Sequence, residues 1–160
     1  MRRTVLTWAI LPAITLPLLG HSSALRQVKH DGSQQVVIDC RGGSVAMPHS
    51  LQLACADGNN YLSNLSWTSW RQGYASATGT QTMNDCRPTC VQGAFHSYPV
   101  AIVLWGNAPV TGNAAQRRYP MITLRYPGTP PPLYFGTTKI AGPPSVTTSL
   151  WGGPGPGPAS

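Results

Sequence analysis

Residues 98–105, YPVAIVLW, form the longest apolar run after the N-terminal segment of this sequence, and they decide the fold class. Val100, Ile102 and Leu104 fall on one face of a strand, because successive side chains of a strand point to opposite faces. A short run rich in β-branched and aromatic residues, with turn-forming residues after it, is typical of a strand rather than a helix. We expect Pro99 to begin this strand or to lie on a sheet edge.

The same two-residue alternation of apolar and polar side chains recurs in five other segments. They are residues 36–40, 51–55, 64–68, 74–82 and 121–126. Residues 57–60, DGNN, separate two of these segments and favour a turn, since Gly, Asn and Asp tolerate positive φ. The sequence therefore predicts an all-β fold, a small antiparallel sandwich or partly closed barrel with about six strands.

The first 24 residues have the order of a secretory signal peptide. Arg2 and Arg3 precede an apolar stretch over residues 5–19, and Ser22, Ser23 and Ala24 supply small residues for cleavage after Ala24. The apolar stretch is shorter than the roughly 20 residues that a membrane span needs. We expect a secreted protein, extracellular or associated with the cell wall, that keeps no membrane contact after cleavage.

The rest of the chain divides into three parts by composition. Residues 25–34 are polar and predict a flexible N-terminus, and residues 35–126 carry the strand pattern of a single β-domain. Residues 127–160 are rich in Pro and Gly, as in PPP at 130–132 and GGPGPGP at 152–158. This composition predicts a disordered tail, because it resists regular structure and buries little apolar surface.

The four cysteines are expected to form disulfides, because the thiols of an exported protein are oxidised outside the cytosol. Four cysteines allow three pairings, which sequence alone does not decide. We favour Cys40–Cys55, whose members share faces with apolar residues, and Cys86–Cys90, which a short loop holds close together. A zinc site of Cys86, Cys90 and His96 is a weaker interpretation, since the spacing is irregular and a fourth ligand is not evident. No metal or other cofactor is predicted.

Four motifs occur in a specific order: LACADGN at 53–59, LSWTSW at 65–70, NDCRPTC at 84–90 and YPV at 98–100. In this order they resemble a group of uncharacterised small secreted actinobacterial proteins that carry the pattern ACADGN…W..W…NDC.P.C. The resemblance covers roughly residues 40–126. It implies export and supports the two cysteine pairs, and it brings no catalytic residue to carry over.

The tryptophans of the second motif suggest a binding surface. Trp67 and Trp70 are three residues apart, so in a regular strand they point to opposite faces. Trp70 precedes the polar stretch 71–73 and is expected to be the exposed one. An exposed indole near amide and carboxylate side chains suits a sugar or a protein partner.

The first functional hypothesis is therefore a non-enzymatic β-domain that binds a protein or a cell-envelope polysaccharide. Its predicted binding residues are Trp70, Asp57, Asn59, Asn60, Asn84 and Asp85. Calcium binding by the same loop oxygens is less favoured, because turns explain the loops with fewer assumptions.

Two alternatives use the same loops. A secreted hydrolase would use Asp57 and Asp85 as paired carboxylates, and a protease inhibitor would present the loop closed by Cys86 and Cys90. No G-x-S-x-G nucleophile motif is present. The formal net charge is +7, but the basic residues are scattered, so a nucleic-acid partner is not predicted. The sequence makes no prediction of oligomeric state.

Overall fold

A computed structural model describes residues 33–150 of the chain. The predicted signal peptide, residues 25–32 of the predicted flexible N-terminus and residues 151–160 of the predicted tail lie outside the described residues. Within residues 33–150 there is no helix of the length and apolarity that a membrane crossing requires.

Residues 33–150 form strands and no helix, so the all-β prediction is confirmed. The twelve strands are β1 Gln34–Ile38, β2 Ser44–Val45, β3 Leu51–Gln52, β4 Asn60–Arg71, β5 Tyr74–Asn84, β6 Phe95–Trp105, β7 Ala108–Val110, β8 Asn113–Arg118, β9 Met121–Arg125, β10 Leu133–Phe135, β11 Thr138–Ile140 and β12 Ser145–Ser149. All six predicted strands are present, as β1, β3, β4, β5, β6 and β9.

Six strands form the main sheet in the order β12-β9-β6-β5-β4-β3, with every neighbouring pair antiparallel. This sheet curls into a half-barrel. A second sheet has the order β2-β1-β8-β7, and β10 pairs with β11 in a separate hairpin. The pair β1–β8 is parallel, a feature that the antiparallel prediction did not include.

The core lies on the inner face of the half-barrel, where β1 and the turn before β9 pack against the main sheet. Its buried side chains are Val37, Leu51, Leu62, Leu65, Ala75, Ala77, Val100, Ile102, Leu104, Tyr119, Ile122, Leu124, Tyr126 and Leu150. The run that decided the fold class thus supplies the centre of this core through Val100, Ile102 and Leu104, as the alternation predicts.

Two β-bulges in β4 determine which of its side chains face inward. The pairing of β4 with β5 shifts once between Ser63 and Ser66 and again between Trp67 and Ser69. Each bulge adds one residue to β4 and so restores the inner face three positions later. As a result Leu62 and Leu65 are both buried, and Trp67 and Trp70 both pack against the core.

The predicted disorder of the tail is wrong for the part of it that the structure describes. Residues 133–135 and 138–140 form the β10–β11 hairpin, and β12 pairs along its whole length with β9. Gly142 lies so close to the Pro131 carbonyl that no side chain fits there, and Leu150 is buried. The prolines lie beside the strands rather than inside them, so composition alone underestimated the order of this segment.

Both predicted disulfides are confirmed. Cys40–Cys55 spans a Cα–Cα distance of 5.3 Å and joins the end of β1 to the segment after β3, so it links the two sheets. Cys86–Cys90 closes the short loop between β5 and β6. No free cysteine remains, which fits an oxidising compartment.

Candidate functional site

The two polar loops predicted from the sequence meet at one end of the main sheet. The antiparallel pairing of β4 with β5 sets Asn60 opposite Met83. Beyond this pair the Asn84 amide donates to the Asn59 carbonyl at 2.8 Å. Residues 57–60 and 84–85 are therefore neighbours, as the hypothesis of a shared loop surface requires.

Trp70 does not belong to this surface, and its predicted exposure is corrected. It pairs with Ala75 at the opposite end of β4, and the ten residues from there to Asp85 span roughly 30 Å of strand. Its indole N–H donates to the Gln35 carbonyl at 3.0 Å. Its ring packs edge-on against Trp67 and Tyr119, with centroid distances of 4.6 and 5.1 Å. The bulge between Trp67 and Ser69 is the reason, because it brings both indoles to the inner face.

Asp57, Asn59 and Asn60 use their polar groups mainly within the protein. Asp57 Oδ1 accepts a hydrogen bond from the Asn59 amide at 3.1 Å and so stabilises the predicted turn. The side-chain oxygen of Asn60 accepts from Gln81 Nε2 at 2.9 Å on the inner face of the sheet. These residues shape the loop, and Asp57 is the one that is fully exposed.

Asn84 and Asp85 hold the disulfide loop in place. Asn84 Oδ1 accepts from the Cys86 amide at 2.8 Å, and its Nδ2 donates to the Cys90 carbonyl at 2.9 Å. Asp85 Oδ1 accepts from the Ala94 amide at 3.0 Å. The loop between β5 and β6 is therefore preorganised by Asn84 and Asp85, two residues that the sequence predicted to bind a ligand.

Asp85 also pairs with His96, whose Nε2 lies 3.0 Å from Asp85 Oδ2. This hydrogen bond is the largest cause of the lowered pKa of Asp85, and the hydrogen bond from the Ala94 amide is the second largest. The hydrogen bond from the Asn59 amide lowers the pKa of Asp57. Both carboxylates are consequently ionised at neutral pH.

A cleft of about 230 Å³ opens next to this pair, and we call it the loop-end cleft. Its lining residues are Met83, Asn84, Asp85, His96, Tyr98, Pro131, Pro132, Tyr134 and Lys139. Met83 lies opposite His96 in the ladder, so the cleft continues the inner face of β5 and β6 beyond the apolar core. The face that is apolar at the centre of the sheet thus becomes polar at its end.

Two tyrosines give the loop-end cleft an aromatic character. The Arg87 guanidinium lies over the Tyr134 ring, 4.3 Å from its centroid, and Arg87 Nη2 donates to the Gly136 carbonyl at 2.7 Å. These two contacts hold the β10–β11 hairpin against the disulfide loop. Burial raises the pKa of Tyr98, and the charges of Tyr134 and Asp85 raise it further. Its hydroxyl therefore stays protonated.

Of the residues that line this cleft, Asn84 and Asp85 were predicted from the sequence as binding residues, whereas His96, Tyr98, Tyr134 and Lys139 were not. The signal for His96 and Tyr98 was present, because the alternation of β6 places them on the same face as Val100. No local signal placed Tyr134 and Lys139 there, since their segment had been assigned to the tail.

Cys86 and Cys90 are joined in a disulfide, so they cannot supply the two thiolates of the alternative zinc site with His96. Over residues 33–150 there is also no group of three or more His, Cys, Asp or Glu side chains arranged to hold a metal ion.

No known family model matches this sequence, and no curated protein or solved structure is significantly similar to it. The resemblance to small secreted actinobacterial proteins therefore stays a prediction from the motif order.

Proposed function

We propose that this protein is an exported, non-enzymatic binding domain whose loop-end cleft takes a polysaccharide of the cell envelope. Two disulfides within a small β-domain support an oxidising, extracellular location.

One observation carries the proposal: Tyr98, Tyr134 and the Asp85–His96 pair line the same open cleft. An aromatic ring offers an apolar face to the C–H surface of a sugar, and a hydroxyl or carboxylate fixes the orientation of sugar hydroxyls. His96 is about half exposed and Lys139 is exposed, so both can reach a ligand in the cleft.

The two carboxylates favour binding over hydrolysis. A glycosidase needs one carboxyl group with a raised pKa, so that it can donate a proton to the leaving group. The pKa values of Asp57 and Asp85 are both lowered, which leaves neither of them protonated at neutral pH. Asp85 is moreover already engaged by His96 and by the Ala94 amide.

The test is co-sedimentation of the folded protein with purified, insoluble peptidoglycan. We expect Tyr134→Ala to weaken binding about 30-fold, which corresponds to the roughly 2 kcal/mol of an aromatic anchor. The matched control is Tyr74→Ala, because Tyr74 is an exposed tyrosine at the opposite end of β5. Equal binding by the two variants, at equal thermal stability, would rule out the cleft as the binding site.

A protease inhibitor is the second candidate function, and the exposure of Val91 favours it. Val91 is 97% exposed on the turn that follows the Cys86–Cys90 disulfide, where the Gln92 amide donates to the Thr89 carbonyl. An apolar side chain projecting from a preorganised loop loses little entropy when a protease pocket receives it.

This second candidate is tested against an elastase-type serine protease, whose small specificity pocket accepts valine. Inhibition by the folded protein should be lost in Val91→Asp and retained in Thr111→Asp, which changes an exposed residue of the β7–β8 turn. Full protease activity in the presence of excess protein would eliminate the inhibitor function.

A further inference from the structure

A second cavity lies beside the loop-end cleft, between the inner face of the main sheet and the Pro-rich segment before β10. It has a volume of about 390 Å³, and we call it the inner cavity. Met83, Pro131 and Pro132 form the wall that it shares with the loop-end cleft. Cavities that bind small molecules typically measure roughly 300–1,000 Å³, so the inner cavity is large enough for a ligand.

The side chains that line the inner cavity exclude a charged ligand. Leu53, Leu124, Val146 and Leu150 contribute apolar surface, and the lining contains no Asp, Glu, Lys, Arg or His. Its one ionisable group is Tyr126, whose pKa is raised by burial, so the phenol stays neutral. Burying an ion without a charged partner costs more free energy than the contacts in such an apolar site provide.

Three polar side chains in this apolar lining form a directed hydrogen-bond chain. The Tyr126 hydroxyl donates to Gln81 Oε1 at 2.6 Å, and Gln81 Nε2 donates to Asn60 Oδ1 at 2.9 Å. Gln81 is 2% exposed and Tyr126 is 8% exposed, so the chain is buried at its start and ends at the half-buried Asn60.

The direction of this chain determines what its open end can bind. Each donated bond polarises the next, so the amide N–H groups of Asn60 are strengthened as donors. Asn60 Nδ2 donates to no partner within residues 33–150, and Asn60 lines the inner cavity. An acceptor oxygen on a ligand would satisfy it.

We infer that the inner cavity is a binding site for an uncharged, mainly apolar small molecule that carries a carbonyl or ether oxygen. The oxygen accepts a hydrogen bond from Asn60 Nδ2, and the apolar body contacts Leu124, Val146 and Leu150. This inference is independent of the proposed polysaccharide binding, which uses the other side of the Pro131–Pro132 wall.

The test uses the full chain after signal removal and two naphthalene dyes. Prodan is neutral and has a ketone oxygen, whereas 1-anilinonaphthalene-8-sulfonate is an anion. We expect saturable, blue-shifted Prodan fluorescence at one site and binding of the sulfonate dye at least tenfold weaker. After signal removal the chain keeps nine Lys and Arg residues and four Asp residues. This net charge of +5 would by itself produce the opposite order, so the comparison isolates the cavity.

A matched pair of variants on β12 locates the dye. Thr148 lines the cavity, whereas Thr147 points to the other face, where its hydroxyl lies 2.9 Å from that of Thr123. Both residues are exposed, so neither substitution introduces a large side chain into the packed core. We expect Thr148→Trp to weaken Prodan binding at least tenfold and Thr147→Trp to leave it unchanged, with both variants matching the wild-type circular dichroism spectrum.

Three results would each overturn the inference. They are the absence of saturable Prodan binding, equal binding by Thr148→Trp and Thr147→Trp, and equal or stronger binding of the sulfonate dye. Prodan binding that emerges only after removal of residues 151–160 would likewise overturn it, because the cavity would then belong to the chain's own C-terminal residues.

Discussion

At the scale of single residues, aromatic side chains with polar atoms fasten one end of the half-barrel. The indole N–H groups of Trp67 and Trp70 donate to the carbonyls of Pro48 and Gln35. The Tyr119 hydroxyl donates to the Arg71 carbonyl at 2.6 Å, and burial raises the pKa of Tyr119 to about 12, so this donor stays protonated. Each ring thus contributes both apolar packing and a satisfied backbone acceptor.

Replacement of Trp70 by alanine is therefore expected to destabilise the fold rather than to remove a binding residue. Loss of a packed indole from such a cluster costs about 3–5 kcal/mol, and the Gln35 carbonyl also loses its donor. Urea unfolding should give similar losses for Trp70→Ala and Trp67→Ala. A Trp70→Ala protein of wild-type stability that no longer sediments with peptidoglycan would contradict this assignment.

The carboxylate of Asp85 links the loop-end cleft to acid stability. Its pKa is lowered in the folded protein, chiefly by the hydrogen bond from His96. The stabilisation is fully present above the pKa of the unfolded chain, about 3.9, and is lost as the pH falls through the lower folded value. Below about pH 4 we expect a decline in stability that is shallower in Asp85→Asn.

His96→Ala provides the second measurement for Asp85. Since the bond from His96 is the largest cause of the lowered pKa, NMR titration of the Asp85 carboxyl should give a higher pKa in this variant than in the wild type. An unchanged Asp85 pKa would mean that the Ala94 amide, and not His96, controls this carboxylate.

At the scale of elements, the bulges of β4 depend on a glycine in the neighbouring strand. A Cβ at Gly79 would lie 2.7 Å from Leu65 Cδ2 and 2.8 Å from the Ser63 carbonyl oxygen. Leu65 belongs to the first bulge, where Asn64 has a φ of 53°. The close approach of β5 to the bulge therefore needs a residue without a side chain at position 79.

Gly79→Ala is accordingly expected to destabilise the protein by about 1–3 kcal/mol, the range for overpacking in a well-packed core. The comparison is Gly128→Ala, because a Cβ at Gly128 meets no atom within 4 Å. Chemical denaturation should separate the two variants clearly. Equal stability would show that Leu65 and the Ser63 backbone can give way without cost.

The elements that sequence predicted are those with local signals. Alternation identified β5, β6 and β9, turn-forming residues identified the loop at 57–60, and the short spacing of Cys86 and Cys90 favoured their pairing. The bulges left no such signal, because a strand with an inserted residue reads as two interrupted alternations. Trp70 was consequently assigned to the wrong face, and the predicted site was only partly assembled.

At the scale of the whole molecule, the half-barrel has one closed end and one open end. The closed end is filled by the Trp67–Trp70–Tyr119 cluster and covered by β1. At the open end, the loop-end cleft and the inner cavity share the wall formed by Pro131 and Pro132. The segment after β9 thus completes both candidate sites, and its role could not be predicted, because its pairing with β9 is a tertiary contact of a Pro-rich sequence.

A truncation tests this role directly. Removal of residues 127–160 would delete β12, and with it the five-residue ladder to β9 and the buried Leu150. Burial of each large apolar side chain contributes about 1.5–3 kcal/mol, and the total stability of a domain is only about 5–15 kcal/mol. We therefore expect the truncated protein to melt at least about 10 °C lower or to remain unfolded.

The reference for this measurement is a chain that ends at Leu150, which keeps every contact described above, including the bonds from Tyr126 N to the Pro144 carbonyl and from Leu150 N to the Pro120 carbonyl. Calorimetry of the two truncated proteins isolates the contribution of residues 127–150. Equal melting temperatures of the two truncated proteins would show that residues 127–150 are dispensable for folding, as their composition predicts. A large difference would establish that pairing with the edge of β9 orders this Pro-rich segment. The ladder between β9 and β12 supplies the backbone hydrogen bonds that hold it.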